Sequence, residues 1–392
     1  MLNDKNRLRV TRRSLIAGMA TIPLSYGIAS NLNLSADDSV KSGPFIIRER
    51  EPQNLESDFA SLESLITPND KFYVRSHFAV PSLSAKSWSL KIEGAVKNEL
   101  QLSYDELQRL PSETRTVTLE CAGNGRVYLV PKVDGAQWQL GAVSTAKWTG
   151  VPLNALLERV GIDPAAVELI FEGADSGEPS KPSKPAKPIS FARSIPIEKA
   201  RNGDVLLAYQ MNGQPLPQSH GFPLRAIVPG WYGMACVKWL SRIVAVKQPY
   251  NGYFQSVDYA YWQHRNGFPT RVPVTEMQVK SQIARPTIAE VIEKGSTYRM
   301  FGAAWSGSSA ISKVEISTDG GKNFASATLL GKTIEHAWRL WEYKWNVPSK
   351  ADKYLLTAKA TDAKGNAQPL ERDKDREAYM INHVVPIEVQ VR

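Results

Sequence analysis

The sequence predicts a mixed α+β half followed by a β-sandwich of immunoglobulin-like build. After the first 70 residues, helix and strand patterns alternate, which is typical of a mixed domain. From about Met277 onward, short strand-like runs are separated by turns such as Asp319-Gly320-Gly321, with almost no helical periodicity. The chain has 392 residues, enough for two or three domains. We therefore expect a first domain over 71–275 and a sandwich over 276–392.

Composition excludes several classes of protein. Apolar residues make up 42% of the chain and charged residues 22%, so it can bury a full core. The two cysteines, Cys121 and Cys236, are too few for a disulfide scaffold or a zinc ribbon. Because the sequence has no Cys-x-x-Cys-His motif, we expect no covalently attached c-type haem in this chain.

Residues 1–30 are predicted to be an export signal. A basic start containing Arg12-Arg13 precedes an apolar stretch over Leu15–Ala29. The arginine pair resembles a twin-arginine signal, which would place a folded protein in the periplasm; an ordinary secretory signal is the alternative. The stretch is too short, and too broken by Gly18 and Pro23, for a stable membrane span. Removing its five basic and one acidic side chains lowers the formal net charge from +9 to +5.

Local patterns predict the elements of the first half in order. Residues 31–70 are polar and are expected to form an irregular linker or a surface-wrapping arm. Ser87–Gly94 alternates as a strand does. Ser103 and Glu106 have the spacing of a capping box and predict a short helix. Thr114–Leu119 is rich in β-branched residues and predicts a strand that ends just before the first cysteine.

Three further patterns complete this half. Pro152 and Gly161 bracket an apolar periodicity over Leu153–Val160, which predicts an amphipathic helix. Asn212-Gly213 follows a strand-like run and predicts a hairpin turn. The Lys-Pro repeat over Glu178–Pro188 is interpreted as a solvated insertion between two strands, with docking of an acidic partner as the alternative.

The run LECAGNGR, Leu119–Arg126, is the sharpest chemical feature. It places Cys121 at the end of a predicted strand, followed by two glycines and an arginine. A thiolate is a soft ligand that suits a redox metal. A nearby guanidinium lowers the pKa of a thiol and attracts an anionic substrate. On spacing alone, a buried cysteine that only fills the core is the alternative.

A series of ordered motifs resembles the molybdenum–pterin enzymes of the sulfite oxidase family, over nearly everything after about residue 65. The motifs are FYVRSH at 72–77, LECAGNGR at 119–126, QWQLGAVSTAKWTGVPL at 137–153, FEGADS at 171–176, LLAYQMNGQPLPQSHGFPLRAIVPG at 206–230, VKWLSRI at 237–243, DGGKNF at 319–324 and AWRLW at 337–341. The resemblance implies a mixed α/β molybdopterin-binding domain followed by an immunoglobulin-like dimerisation domain.

The resemblance also implies site residues. Cys121 corresponds to the ligand of a single molybdenum per chain, and no haem domain precedes it. The implied substrate pocket consists of Arg75, Arg126, Trp138, Tyr259 and Arg339. The implied contacts to the pterin and its phosphate are Tyr73, Val74, Arg75, Ser76, His77, Asp175, His220, Arg225, Cys236, Val237 and Lys238. Cys236 is expected to be a buried thiol beside the pterin with no chemistry of its own.

The implied activity is molybdenum-dependent oxidation of sulfite to sulfate, with electrons passed to an external acceptor, a c-type cytochrome. Three guanidiniums would suit a small dianion such as sulfite. A homodimer is expected, with no nucleic-acid partner. The alternatives are the same scaffold acting on sulfane sulfur or nitrate, and a cofactor-free secreted binding protein.

Overall fold

The computed structural model describes residues 40–179 and 184–392, which belong to one compact unit. The predicted export signal at 1–30 lies outside the described residues, as do residues 180–183 of the Lys-Pro repeat. Within the described ranges, none of the helices combines the length and apolar character that a membrane crossing requires.

The chain first forms a small antiparallel sheet, which corrects the expectation of an irregular arm over 31–70. Its strands, in spatial order, are β1 (Val40–Ser42), β2 (Phe45–Glu49), β3 (Asn54–Ser57) and β4 (Val74–Arg75). The sheet could not be predicted from this polar sequence, because its charged side chains are buried against hydrogen-bond partners elsewhere in the fold. Glu56 accepts hydrogen bonds from Arg48 at 2.6 Å and from the backbone N–H groups of Gln139 and Gly141.

The mixed half continues with twelve strands and three helices. In chain order these are β5 (Ser89–Gly94), β6 (Leu100–Ser103), α1 (Tyr104–Gln108), β7 (Glu113–Glu120), β8 (Val143–Pro152), α2 (Leu153–Val160), β9 (Glu168–Gly177), β10 (Ile189–Pro196), α3 (Ile197–Arg201), β11 (Leu206–Met211), β12 (Gln214–Pro215), β13 (Arg225–Ile227), β14 (Leu240–Val246), β15 (Ala260–Arg265) and β16 (Phe268–Pro273).

Two sheets form the body of this half. One has the order β10-β9-β14-β5-β6, with β14 parallel to β5, and the other has the order β12-β11-β8-β7, with β13 also paired to β11. β15 and β16 form a separate two-stranded hairpin. Cys121 directly follows β7 and Arg225 begins β13, two strands of the same sheet that are distant in sequence.

Local signals located several elements correctly. Ser103 caps α1, and its backbone N–H donates to Glu106 at 2.9 Å, as in a capping box. α2 ends at Gly161, which has a left-handed φ of 64°. The Asn212-Gly213 turn joins β11 to β12. The Lys-Pro repeat falls between the antiparallel strands β9 and β10, as the insertion hypothesis predicted.

The last third is the predicted β-sandwich. Its strands are β17 (Lys280–Arg285), β18 (Val291–Ile292), β19 (Thr297–Trp305), β20 (Ile311–Ser317), β21 (Ala325–Ser326), β22 (Thr328–Leu329), β23 (Arg339–Asn346), β24 (Asp352–Asp362) and β25 (Ile387–Val391). They form sheets of order β17-β19-β23-β22 and β18-β25-β24-β20-β21. A core of buried apolar residues, Trp341 and Leu356 among them, fills the space between the sheets.

The sandwich is bonded directly to the mixed half. The backbone N–H of Thr118 in β7 donates to the His336 carbonyl at 2.9 Å. The Trp338 backbone N–H returns a 2.7 Å bond to the Thr118 hydroxyl, and the Trp338 indole donates to the Leu65 carbonyl. The segment before β23 is therefore hydrogen-bonded to the edge strand β7, which ends directly before Cys121.

Candidate active site

A cavity of about 650 Å³, counting the space open to solvent, lies at the strand ends of the mixed half. Every residue predicted to contact the cofactor lines it, except Val237. The Val237 side chain is buried in the core instead, between two neighbours that face the cavity. The lining residues are Phe72, Tyr73, Val74, Arg75, Ser76, His77, Leu119, Cys121, Ala122, Asp175, Phe191, His220, Arg225, Gly233, Met234, Cys236, Lys238, Trp239 and Tyr259.

Cys121 follows β7 directly and is 6% exposed, at the cavity wall. Its backbone N–H donates to the Ala142 carbonyl at 2.9 Å, and its carbonyl accepts from Asn124. Gly123 is required because an added Cβ would come within 2.1 Å of the Arg126 guanidinium. Over the described ranges, no cluster of three or more His, Cys, Asp or Glu side chains could hold a metal ion. A metal bound by the single soft sulfur of Cys121 would take its other ligands from a cofactor.

One wall of the cavity is strongly cationic. Arg225 donates to the carbonyls of His220 and Cys236 at 2.9 and 3.1 Å, and its Nε has no partner among the described residues. Lys238 donates to the Ser76 hydroxyl at 2.9 Å and to the Ser219 carbonyl at 2.8 Å. Burial and the charge of Arg225 hold the pKa of Lys238 well below its usual value. Because neither cation has a carboxylate as a hydrogen-bond partner, this wall suits a phosphate-bearing group.

Asp175 is the buried acid of the same cavity. Its Oδ1 has no hydrogen-bond partner within the part of the chain that the structure describes. Burial raises its pKa to about 6, although the charge of Lys238 opposes the shift. A buried, unpartnered carboxylate oxygen is costly, and it suits a ligand that brings N–H donors, as a pterin does. The cavity residues therefore fit the implied cofactor.

The remaining histidine and cysteine of the wall are held in neutral forms. Burial, then the charges of Arg225 and Lys238, lowers the pKa of His220 to about 3. Burial raises the pKa of Cys236, whose sulfur accepts a 3.3 Å hydrogen bond from the Val228 backbone. Cys236 is thus a buried thiol at the cavity, where the sequence placed it.

Arg75, His77 and Tyr259 form the side of the cavity suited to a substrate. Arg75 donates to the Asn54 side-chain oxygen at 3.1 Å and also to the Ser76 carbonyl. His77 Nε2 lies 2.8 Å from the Tyr259 hydroxyl, as donor or acceptor according to its tautomer. Burial raises the pKa of Tyr259, so its hydroxyl keeps its proton at neutral pH. These groups offer a fixed positive charge beside a protonated phenol.

Arg126 lies behind this side of the cavity without lining it. It is buried, and it donates to the Ala378 carbonyl from Nε and Nη2 and to the Ala136 carbonyl at 2.7 Å. Its guanidinium carbon is 5.6 Å from the centre of the Tyr379 ring. The Tyr379 ring is in turn 5.0 Å from that of Tyr259. Arg126 therefore fixes the Ala136 and Ala378 carbonyls and packs on Tyr379, which in turn packs on the cavity residue Tyr259.

Two further predicted substrate residues, like Arg126, do not line the cavity. Trp138 is fully buried in the core and does not line the cavity. Arg339 begins β23, is half-buried, and donates to the Thr333 hydroxyl at 2.9 Å, away from the cavity. Strand alternation explains its position, because the preceding Trp338 points into the core. The Arg339 guanidinium does not line this cavity, and its Nε has no hydrogen-bond partner among the described residues.

Several wall residues were missed by sequence reasoning. Phe191 stacks on His77 with ring centres 4.5 Å apart, and Trp239 also lines the cavity. Tyr379, far along the chain, donates to Asp258 and packs on Tyr259. Trp239 lies inside the motif at 237–243 but was not assigned to the site, whereas Phe191 and Tyr379 did not stand out from ordinary core aromatics in the sequence. Only the alternation of inward-facing and outward-facing side chains along β10 could have indicated that Phe191 faces the interior.

Comparisons with known families agree with this geometry. Residues 77–254 match the oxidoreductase molybdopterin binding domain family, and residues 271–391 match the Mo-co oxidoreductase dimerisation domain family.

The chain is also similar to named proteins. It is 33% identical over 353 residues to sulfite oxidase of Arabidopsis thaliana, covering 82% of this chain and 87% of that protein. It is 36% identical over 356 residues to mitochondrial sulfite oxidase of Mus musculus, covering 85% of this chain. The chain spans 63% of the length of the mouse and human mitochondrial proteins.

The fold is similar to that of a solved structure, the sulfane dehydrogenase SoxCD from Paracoccus pantotrophus. The TM-score is 0.76 at 29% identity, covering 87% of this chain and 85% of that chain. An NADH nitrate reductase of Solanum lycopersicum is 31% identical over 375 residues, covering 86% of this chain and 40% of that protein. These relatives differ in their named substrates.

Proposed function

Because the chain belongs to the sulfite oxidase family of molybdopterin oxidoreductases, we propose that it oxidises sulfite to sulfate and passes the electrons to a c-type cytochrome. The observation that carries this proposal is the buried cavity that unites Cys121, a cationic wall and Arg75. Such a cavity suits a phosphate-bearing cofactor on one side and a small anion on the other.

When bound, the molybdenum cofactor supplies the oxygen-atom transfer chemistry and accepts the two electrons. This chain's residues would hold it: Cys121 through its sulfur, Arg225 and Lys238 through their charges, and Asp175 through its unpartnered oxygen. Arg75 would bind an oxygen of the sulfite anion. The Tyr259 hydroxyl, kept protonated by burial, would donate to a second oxygen and orient the anion.

A second candidate is oxidation of another reduced sulfur compound, such as sulfane sulfur. It is favoured by one observation: Arg339 lies outside the cavity and Arg126 is bonded to carbonyls. One directly lining guanidinium on the substrate side, Arg75, holds a dianion less strongly than three would. Turnover of sulfite, thiosulfate, persulfide and nitrate, measured in parallel, discriminates these substrates.

The β15–β16 hairpin supports the proposed acceptor. The hairpin begins beside Tyr259, which lines the cavity, and it exposes Phe268 by 73% and Trp262 by 39%. Its sequence from Ala260 to Pro273 contains Arg265 and Arg271 and no acidic residue, while Glu377 from another segment pairs with Arg271 at 3.4 Å. Arg265 and the exposed aromatic rings next to the site suit a redox protein with an acidic face around its cofactor.

We further propose a periplasmic location and a homodimer. The twin-arginine pattern at Arg12-Arg13 supports export of a folded protein with its cofactor in place. The match of residues 271–391 to a dimerisation domain family supports pairing of two chains through the sandwich.

Purified holoprotein tests the proposed function. Molybdenum and pterin are measured first, and sulfite turnover is then followed with cytochrome c, ferricyanide and oxygen as parallel acceptors. Sulfite-dependent reduction of cytochrome c supports the proposal. A metal-loaded protein that leaves sulfite unchanged with every acceptor overturns it.

A further inference from the structure

A buried ion pair lies immediately before the metal-ligating cysteine. Glu120 is 1% exposed, and its Oε1 accepts from the Lys280 ammonium at 2.9 Å. Its Oε2 accepts from the Trp305 indole at 2.8 Å. Lys280 and Trp305 belong to β17 and β19 of the sandwich, so both charge partner and indole reach Glu120 from the other half of the chain.

The same network reaches the turn that follows Cys121. Lys280 donates a second bond, 2.9 Å long, to the Asn124 carbonyl. The Asn124 side chain donates to Glu120 at 3.1 Å and accepts from the Ala142 backbone at 3.2 Å. The Asn124 backbone N–H donates to the Cys121 carbonyl at 2.9 Å. One ammonium group thus binds the side chain of the residue before the cysteine and the backbone carbonyl three residues after the cysteine.

Lys280 donates its hydrogen bonds to Glu120 and Asn124 alone within the described ranges. It is buried, it does not line the large cavity, and its direct partners are Glu120 and Asn124. A buried ion pair is a weak way to gain stability, since two charges must be desolvated. Its value here is geometric, because groups behind a metal ligand set the direction from which that ligand approaches the metal.

We propose that Glu120 and Lys280 are positioning residues through which the sandwich half sets the orientation of the Cys121 sulfur toward molybdenum. The pair touches neither substrate nor cofactor. The proposal rests on the molybdenum cofactor assigned to this family and is independent of whether the substrate is sulfite. It assigns the sandwich a role in the metal site that is separate from dimerisation.

The central variant is Lys280→Gln in the holoprotein. The readouts are molybdenum content, the thermal midpoint, and the electron paramagnetic resonance spectrum of Mo(V) generated with Ti(III) in the absence of any substrate. We expect retained molybdenum, shifted Mo(V) g-values, and kcat reduced about 10-fold with the KM for substrate within about two-fold of the parent. The double variant Glu120→Gln/Lys280→Gln, an uncharged amide pair, should restore the parent spectrum.

The matched control is Ser281→Ala, the next residue of β17. It removes the Trp341 indole's 3.0 Å bond inside the sandwich core and leaves the Cys121 turn untouched. This variant should lower the thermal midpoint while the Mo(V) spectrum stays at the parent values. An equal spectral shift in Ser281→Ala would overturn the proposal, because general loosening of the sandwich would then explain it.

Parent-like g-values in metal-loaded Lys280→Gln would also overturn the proposal. If Lys280→Gln does not fold, Trp305→Phe takes its place, since it removes one donor to Glu120 and leaves the charge pair intact. A smaller shift in the same spectrum supports the proposal, and an unchanged spectrum overturns it. Because Ti(III) replaces the substrate, failure of the sulfite assignment cannot be mistaken for failure of this inference.

Discussion

The Tyr379 hydroxyl donates a 2.6 Å hydrogen bond to the Asp258 carboxylate, across 121 residues of sequence. Both groups are buried, and the Tyr379 ring packs 5.0 Å from the ring of the cavity residue Tyr259. The backbone on either side of Tyr379 is engaged too, since the Ala378 carbonyl accepts from Arg126 and the Met380 N–H donates to Ala122. The segment before the last strand therefore closes the substrate side of the site.

Removing this hydroxyl tests that closure. Tyr379→Phe keeps the ring contact and takes one donor from a buried carboxylate, which should lower the free energy of unfolding by about 1.5–3 kcal/mol. The KM for sulfite should rise because Asp258, the residue before Tyr259, loses the hydrogen bond that holds it, while molybdenum content stays unchanged. Chemical denaturation and steady-state kinetics measure the two effects. Unchanged stability together with an unchanged KM would show that the contact is incidental.

Cys121→Ser tests the metal ligand. We expect a folded protein, because serine fits the space of the thiol, with sulfite-dependent cytochrome reduction abolished. Circular dichroism and a cytochrome assay measure the two outcomes. Cys236→Ser is the matched control, since its sulfur accepts from the Val228 N–H and donates to the Val228 carbonyl, bonds that a serine hydroxyl can also make, and it should keep most of the activity. Full turnover in Cys121→Ser would contradict the assigned ligand.

Arg75 and Arg339 offer a direct comparison of two arginines. Arg75→Met should raise the KM for sulfite about 10- to 100-fold, which corresponds to the loss of one charge-assisted hydrogen bond of about 1.5–3 kcal/mol. Arg339→Met should leave the KM within about two-fold, because its side chain contacts Thr333 outside the cavity. Steady-state kinetics over a range of sulfite concentrations decides between them. The reverse ranking would restore Arg339 to the pocket.

His383 should make stability depend on pH. Burial, with the charges of Arg372 and Lys280, lowers the pKa of His383 from 6.5 to about 4. Between these pH values the unfolded chain binds a proton at this residue and the folded chain does not, so stability falls as the pH falls from 6.5 toward 4. Thermal midpoints across this range measure the slope. His383→Gln should give a shallower slope than the parent, and equal slopes would refute the attribution.

The exposed hairpin should affect the protein acceptor alone. Phe268→Ser and Arg265→Glu should each raise the KM for cytochrome c, more strongly at low ionic strength for the charge reversal. Ferricyanide is small and needs no docking surface, so ferricyanide rates should stay at the parent level. A parallel loss with both acceptors would place the effect at the metal site, and dissociation of a dimer would make the hairpin a contact between copies.

Elements with local signals were predictable from sequence. α1 was visible through Ser103 and Glu106, and α2 through the bracketing Pro152 and Gly161, since capping and periodicity depend on near neighbours. The strands at 40–57 were not, because their polar residues are satisfied by distant groups. In the sequence Glu56 resembles an exposed surface residue, because its partners, the backbone N–H groups of Gln139 and Gly141, are distant along the chain.

The residues of the site also differ in how far the sequence could predict them. Motif residues such as Cys121 and Arg225 line one cavity, as the resemblance implied for the cofactor site. Arg339 does not line it, because the adjacent buried Trp338 determines which face of the strand Arg339 occupies. Tyr379 carried no motif, and its role arises only from tertiary contacts with Asp258 and Tyr259.

The sheet formed by residues 40–75 has a consequence for the order of biosynthesis. Asn54 accepts hydrogen bonds from Arg75 and from the Ser76 backbone, so the first strands hold one side of the cavity. The opposite side is Tyr259, and its backing is Tyr379, near the end of the chain. The cavity therefore cannot close until the ribosome has made the chain as far as Tyr379. Cofactor loading into the closed cavity must then follow the synthesis of both halves.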